Sequence, residues 1–381
     1  MRREVQVELI GRLAGMLENH TTTLVDAERL NPVAEYHDPL RLQSERDVLF
    51  RTHPIVVGHA WQLREPRDFI ADDLSGVPVL VTRQESGELR AFLNVCRHRG
   101  VRVATEPSGN RRSFTCPYHG WTYGADGALK GIPFKQAFGA VDRDERGLVR
   151  IPVEERHGLI WVMLDPEAEL DVAAYLTPEL DEELLSYDMA GFALERTHRF
   201  EEQLNWKSVI DGFLENYHVR YLHGATLAKY VRSNVHTYDA FGPHARLVVL
   251  KNKFDEVKDL PVDRYKPIDY MSNVDVIFPN TGISWVYDHF ETWTAFPWGP
   301  TPRVSATRLS MIVPPERVDD HAFWDRSMNT ILDVIPTEDF EMSRVMQQGL
   351  AAGAQTHQVF GRNEGALQHF HAGLERVLGP A

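Results

Sequence analysis

The stretch NVCRHRGVRVATEPSGNRRSFTCPYHGWTYGADG, residues 94–127, contains both cysteines of this 381-residue chain. Each has a histidine close behind it, as Cys96-x-His98 and Cys116-x-x-His119. A Cys and a His two or three residues apart let one loop offer two ligands to one metal site. A Cys2His2 zinc site is one arrangement of four such groups, but zinc fingers put both cysteines on one loop and both histidines on the other. Here each loop supplies one of each. That pattern suits a binuclear centre, with both thiolates on one metal ion and both imidazoles on the other.

Two histidines in place of two cysteines on one iron is the Rieske form of a [2Fe–2S] cluster. Neutral imidazoles make the reduced cluster easier to form and raise its potential above that of an all-cysteine cluster. Gly100 and Gly120 follow the two pairs and let the backbone turn tightly around sulfur. Pro117 stiffens the second loop, and Trp121 and Tyr123 are placed to cover a cluster from solvent. On these residues the sequence resembles the Rieske protein family. The resemblance implies that Cys96, His98, Cys116 and His119 hold a [2Fe–2S] cluster.

Around the motif, short β-like runs alternate with turn signals, among them HPIVVGHAW, VPVLVTR, LRAFLNV and GLIWVML. They predict a compact all-β domain over 43–163. Before it, Val5, Leu9, Leu13 and Leu17 recur at i+4 and predict a helical segment within 1–42. After it, over 164–381, strand-like runs such as TGISWVYDHFETWTAFPWG precede long helical ones such as HAFWDRSMNTILDVIPTEDFEMSRVMQQGLAAG. That order predicts an α+β domain with helices on one face of an antiparallel sheet.

Composition narrows the function classes. Hydrophobic residues at 43% and charged residues at 25% describe an ordinary globular protein. Two cysteines exclude a disulfide scaffold. No signal-peptide pattern or long apolar run is present, so a cytoplasmic protein without a membrane span is expected. A net charge of −14 argues against nucleic acid as partner. Arg97, Arg99, Arg102, Arg111 and Arg112 nonetheless cluster within 97–112 of the cysteine segment, where only Glu106 opposes them. Such a patch suits docking of an acidic partner, or pairing with acids across a subunit contact.

A Rieske cluster passes one electron at a time, so the rest of the chain must contain an acceptor. NWKSVIDGFLENYHVRYLHG, residues 205–224, is the candidate. Asp211, Glu215 and His218 are spaced to share one face of a helix. His223 follows His218 by five, so both reach one metal only if the helix ends or distorts between them. Two histidines and one carboxylate make the facial triad of non-haem Fe(II) oxygenases.

With the upstream motif, this segment resembles the Rieske non-haem iron oxygenases, or aromatic-ring-hydroxylating oxygenases, in their α subunit. The resemblance implies a small all-β Rieske domain and a larger antiparallel-sheet-and-helix catalytic domain of helix-grip, START-like form. It implies that 1–42 packs on that catalytic domain. It makes His218 and His223 ligands of a mononuclear Fe(II), with Asp339 of the Glu338-Asp339 pair as third ligand and Asp333 as the competing choice. Glu215 takes the place of an acidic residue, often aspartate, that bridges the catalytic histidine to a Rieske histidine. Asp211 stands where several dioxygenases carry asparagine, and a hydrogen bond behind the ligands is its implied role.

The implied activity is that of a terminal oxygenase, using O2 and electrons from a NAD(P)H reductase. It would hydroxylate, dihydroxylate or oxidatively demethylate a small aromatic substrate, as in aromatic hydrocarbon catabolism. A quaternary-amine monooxygenase is the alternative within the family. An electron-transfer Rieske protein and a zinc-binding structural protein are the alternatives outside it. No GxGxxG motif follows a strand, so no bound flavin or nicotinamide is expected. The implied partners are a reductase, with or without a ferredoxin, docking near Arg97, Arg99, Arg111 and Arg112. A homotrimer is the implied assembly, with a separate β subunit left open. Trp285, Tyr287, Phe290, Trp293, Phe296 and Trp298 either line an aromatic pocket or cation–π cage, or pack a sheet under helices. Leu214, Val219 and Leu222 are further pocket candidates.

Overall fold

A computed structural model describes residues 1–381. The chain forms two compact units, Phe50–Tyr175 on its own and Met1–Leu49 together with Leu176–Ala381. The change-over falls at 50 and 175, against 43 and 163 expected from the sequence.

In Phe50–Tyr175 the β-like runs are strands of three small antiparallel sheets. The five-stranded sheet is ordered Arg150–Ile151, Leu89–Leu93, Val79–Arg83, Asp68–Asp72 and Ser108–Asn110. Val153–Arg156, Leu159–Val162 and Ile55–His59 form a second sheet, and Ser113–Thr115, Thr122–Gly124 and Leu129–Gly131 a third. Phe69, Leu80, Phe92, Phe114, Trp121 and Tyr123 pack in one core that also takes in Cys96 and Cys116. The two cysteine loops are therefore rooted in apolar packing.

The second unit is built on a seven-stranded antiparallel sheet. Its spatial order is Ala193–Glu202, Ser305–Val313, His289–Pro297, Thr281–Val286, Met271–Ile277, His244–Lys251 and Val231–Phe241. Side chains alternate between the two faces. Val248 and Leu250 pack against Leu9, Ile10 and Leu13 of the helix Arg3–Glu18. Leu247 and Val249 point to the opposite face, where they line a cavity shared with Phe340 and Leu367 of the helices Asp339–Ala351 and Gly365–Leu378. Helices thus cover both faces, where the sequence order suggested one.

The segment 205–224, expected as a helix with a break near its end, is two short helices, Trp206–Asp211 and Val219–Leu222, and the break comes earlier. The first is anchored at its start. Asn205 caps it by accepting from Lys207 N at 2.9 Å, and Glu45 receives both the Trp206 indole N–H at 2.8 Å and the buried Lys207 ammonium. The break follows from side chains that compete for backbone groups. Glu215 Oε2 accepts from the amides of Tyr217 and His218, and Asn216 binds Arg232 O at 2.8 Å and the Asn234 amide at 3.1 Å. Asp211, Glu215 and His218 therefore do not share a helix face. No helix is long and apolar enough to cross a membrane.

Candidate metal centres

In Phe50–Tyr175 the two cysteine loops repeat one backbone pattern. Gly100 N donates to Cys96 O at 2.9 Å, and Gly120 N to Cys116 O at 3.0 Å. Cys96 N donates to Val101 O and Cys116 N to Trp121 O, both at 2.8 Å. Gly100 and Gly120 have φ of 80° and 72°, the left-handed region where glycine costs nothing. Asn94 braces the first loop, accepting from the amides of Val103 and Ala104 and donating to Ala104 O.

These loops bring His98 and His119 together, with ring centroids 4.5 Å apart. Both Nδ1 atoms are buried without a hydrogen-bond partner, and both cysteines are buried free thiols. Burial, then His119 and Arg99, lower the His98 pKa and favour the neutral imidazole that binds metal. Two imidazoles with unpartnered Nδ1 atoms and two buried thiols, on the same pair of loops, are donors in the number and kind that a Rieske cluster takes. Trp121 stacks on His98 at 5.0 Å and 8°, and Tyr123 Oη stands 3.4 Å from Cys96 Sγ.

In the other unit, His218 and His223 flank the one-turn helix Val219–Leu222. The break at 212–218 and this single turn let two histidines five apart face one point. The Nδ1 of His218 is engaged by Glu215, and that of His223 by Glu338 at 2.5 Å. Each Nε2 then faces Asp339 Oδ1, at 3.8 Å from His218 and 3.2 Å from His223. One ligand atom each from His218, His223 and Asp339 falls within 4.8 Å of the others. Asp339 Oδ2 is buried and unpartnered. Two imidazoles with Nδ1 tied off and one carboxylate with a free oxygen fit a single iron.

The electrostatics match. Burial alone would lower the His223 pKa, but Asp339 and Glu338 outweigh it and raise it. Burial opposes ionisation of Glu215, yet the His218 ring and the amides of His218 and Tyr217 hold its carboxyl below the usual range. Asp333 stands apart from this group. It lies on the helix His321–Val334, and its carbonyl accepts from Thr337. Asp211 is engaged elsewhere, accepting from Tyr36 Oη at 2.6 Å and lying 2.9 Å from His371 Nε2.

Ring-hydroxylating α-subunit sequences (catalytic domain) match residues 189–379, and the Rieske [2Fe–2S] domain matches residues 53–150. This chain belongs to the ring-hydroxylating α-subunit family. A Rieske cluster and a mononuclear iron are the cofactors that this membership implies, and the donors present fit both. The chain is 34% identical over 224 residues to biphenyl 2,3-dioxygenase subunit α of Rhodococcus jostii, a match covering 56% of this chain and 48% of that one. It is 28% identical over 353 residues to the chloroplastic choline monooxygenase of Beta vulgaris, covering 91% and 76%. The matches span about half or less of the length of the first of these curated relatives. In fold it is similar to the quaternary ammonium Rieske monooxygenase CntA, with a TM-score of 0.79 at 22% identity over 92% of this chain and 96% of that one. It is also similar to naphthalene 1,2-dioxygenase from Rhodococcus sp., at 0.73 and 19% over 99% of each chain.

The triad of this α subunit sits at the wall of a cavity of about 520 Å³. Phe213, Leu222, Leu247, Val274 and Trp293 give it apolar walls, and no Lys or Arg lines it. Val219 also lines it, whereas Leu214 is buried elsewhere. Of the six aromatic candidates only Trp293 reaches this cavity, its indole N–H held by Glu291 at 3.0 Å. Sequence reasoning missed Glu338 as the partner of His223. The Glu338-Asp339 pair was visible, but nothing in it said that both carboxylates turn to one ring.

Proposed function

We propose that this chain is the terminal oxygenase component of a Rieske non-haem iron oxygenase acting on a small, apolar, uncharged substrate. One observation carries the reading: His218, His223 and Asp339 converge within 4.8 Å at the wall of an apolar cavity. The cluster, when bound, supplies electrons singly, and the mononuclear iron supplies O2 activation. His218, His223 and Asp339 would hold that iron, and Cys96, His98, Cys116 and His119 the cluster. Glu215 and Glu338 orient the two imidazoles and fix their tautomers. The apolar walls hold the substrate and exclude water.

The cavity also favours one class of substrate over another. Asp211, Glu215, Asp339 and Glu364 are the carboxyl residues that line it, and no Lys or Arg does. A carboxylate-bearing substrate would lose its hydration with no Lys or Arg to pair it. A quaternary amine is the second reading, favoured by the same acids and by Trp293 and Phe213.

Electrons would come from a NAD(P)H reductase. Arg111 is paired with Glu106 and Arg102 with Asp73, so Arg99 and Arg112 are the exposed cations left for docking. A homotrimer in which Glu215 bridges to a neighbouring Rieske histidine is the assembly that supports this reading.

Substrate-dependent O2 uptake with a generic reductase tests the proposal. Neutral arenes, aromatic acids and quaternary amines are compared, alongside iron analysis. About three irons per chain and uptake with neutral arenes are expected. Two irons and no uptake with any class would leave only an electron-transfer protein. Uptake with quaternary amines alone would select the second reading.

A further inference from the structure

Tyr36 and Trp293 are the tyrosine and the tryptophan that line the triad's cavity, and in both the polar end is tied to a carboxylate. Tyr36 Oη donates to Asp211 Oδ2 at 2.6 Å, and Trp293 Nε1 donates to Glu291 Oε2 at 3.0 Å. Asp211 itself lines the cavity, whereas Glu291 does not. The Trp293 N–H is therefore drawn out of the wall, and a ring surface is what a ligand meets.

Strand geometry makes this bond possible. Glu291 and Trp293 stand two residues apart on the strand His289–Pro297, so their side chains leave the same face. Trp293 lies 5.6 Å from Phe213, a neighbour in the wall, and stacks on Phe200 at 5.9 Å and 7°. Phe200 in turn meets Phe340 edge-on at 5.3 Å. Phe340 follows Asp339 in the chain, so the indole sits in the middle of an aromatic row that ends beside the triad.

Glu291 is itself held. It is 8% exposed, and a carboxylate so buried needs an answering group. His289, two residues back on the same face, places Nε2 3.5 Å from Glu291 Oε1. The other nitrogen, Nδ1, lies 3.0 Å from Asp288 Oδ1, and Arg317 Nη1 pairs with Asp288 Oδ2 at 2.7 Å. Burial would lower the His289 pKa, but Glu291 and Asp288 outweigh it and raise it. Alternating basic and acidic groups thus run from the partly exposed Arg317 through Asp288 and His289 to Glu291 and the indole. Arg317, Asp288 and His289 do not line the cavity.

We propose, on the reading that this cavity takes the substrate, that Glu291 is a positioning residue for it. Glu291 anchors the indole of Trp293 so that the ring, and not its N–H, faces the ligand, which fits this wall to an apolar body. An indole released from Glu291 would turn its N–H into the cavity or leave it buried and unpaired, and either costs binding of an apolar ligand.

Calorimetric titration of the full-length protein with ethylbenzene, without O2 or reductase, tests this in the absence of turnover. Glu291→Leu removes the acceptor and is expected to weaken binding about tenfold. Glu291→Gln keeps an acceptor and is expected to stay within about twofold of the wild type. In a Trp293→Phe background, which has no N–H to anchor, Glu291→Leu is expected to cause no further loss. Wild-type crystals soaked in ethylbenzene are expected to show it against the Trp293 ring with the bond to Glu291 kept. This measurement decides the matter if the leucine variant does not fold. Absence of binding to the wild type, an unchanged affinity in Glu291→Leu, a glutamine variant as weak as the leucine one, an equal loss in the Trp293→Phe background, or density away from Trp293 would each overturn the proposal. Failure of O2 uptake with every substrate class would count against the oxygenase reading alone, because these affinities need no turnover.

Discussion

Glu338 Oε2 lies 2.5 Å from Nδ1 of His223. The same oxygen accepts from Thr226 Oγ1 at 2.7 Å, so the carboxylate is fixed on both sides. The ring is thereby turned so that Nε2, not Nδ1, meets Asp339. A carboxylate behind a ligating imidazole sets its tautomer and raises its basicity. Glu338→Gln is expected to weaken ferrous iron binding about ten- to hundredfold while leaving the Rieske spectrum intact. Titration of the iron-depleted protein with Fe(II) against a competing chelator reads this directly. An unchanged affinity would remove Glu338 from the site.

Asp339 and Asp333 are separated by the same measurement. Asp339 opens the helix Asp339–Ala351 and turns Oδ1 toward both Nε2 atoms, whereas Asp333 sits in the last turn of the preceding helix. Asp339→Ala is expected to lower iron content from about three to about two per chain, with the cluster's visible absorption unchanged. Asp333→Ala is expected to keep all of it. Retention of the mononuclear iron in Asp339→Ala would reassign the third ligand.

Tyr123 is placed to tune a cluster held by Cys96. Its Oη accepts the Arg97 amide at 2.9 Å, which directs its own hydrogen toward Cys96 Sγ at 3.4 Å. A donor to sulfur stabilises the extra negative charge of the reduced cluster and raises its potential. Tyr123→Phe is therefore expected to lower the midpoint potential. A hydrogen bond worth about 1 kcal/mol corresponds to about 40 mV for one electron. Voltammetry of the purified protein measures it, and a potential that stays level or rises would show that the hydroxyl does not point at sulfur.

The cysteine motif was legible because ligand type and loop spacing are local, and the residues around Cys96 and Cys116 fold as two copies of one turn. The strands Val79–Arg83 and Leu89–Leu93 were legible for a similar reason, since apolar runs between turn residues need no distant partner to be recognised. The segment 205–224 misled because its spacing does match a helix. What ends that helix is Glu215 and Asn216 binding backbone across a loop, which spacing does not encode. Strands such as Val231–Phe241 and Met271–Ile277 stayed hidden because their charged and polar residues are buried or half-buried in cross-strand rows, as with Asp239 and Asp275 on either side of Arg246. The pairing of Glu338 with His223 spans more than a hundred residues and is visible only once the sheet has formed.

Lys251 gives a pH dependence whose sign can be worked out. It is 2% exposed, its Nζ has no hydrogen-bond partner, and it lies 3.8 Å from the Tyr287 ring centroid. Burial, then Lys253, pull its pKa from an ordinary 10.5 down to about 8, against Asp269. Below pH 8 the amine is charged in both folded and unfolded chains and adds no slope. Between about 8 and 10.5 the unfolded chain holds a proton that the folded one has lost, so stability rises with pH. The full change corresponds to about 3 kcal/mol, and contact with the ring offsets about 1 kcal/mol of the cost at neutral pH. Lys251→Met is therefore expected to be more stable than the wild type at neutral pH. Denaturant unfolding of both proteins across that range should show the advantage shrinking as pH rises. A difference that stays flat from neutral to alkaline pH would mean that the buried amine titrates normally and that Tyr287 compensates its charge in full.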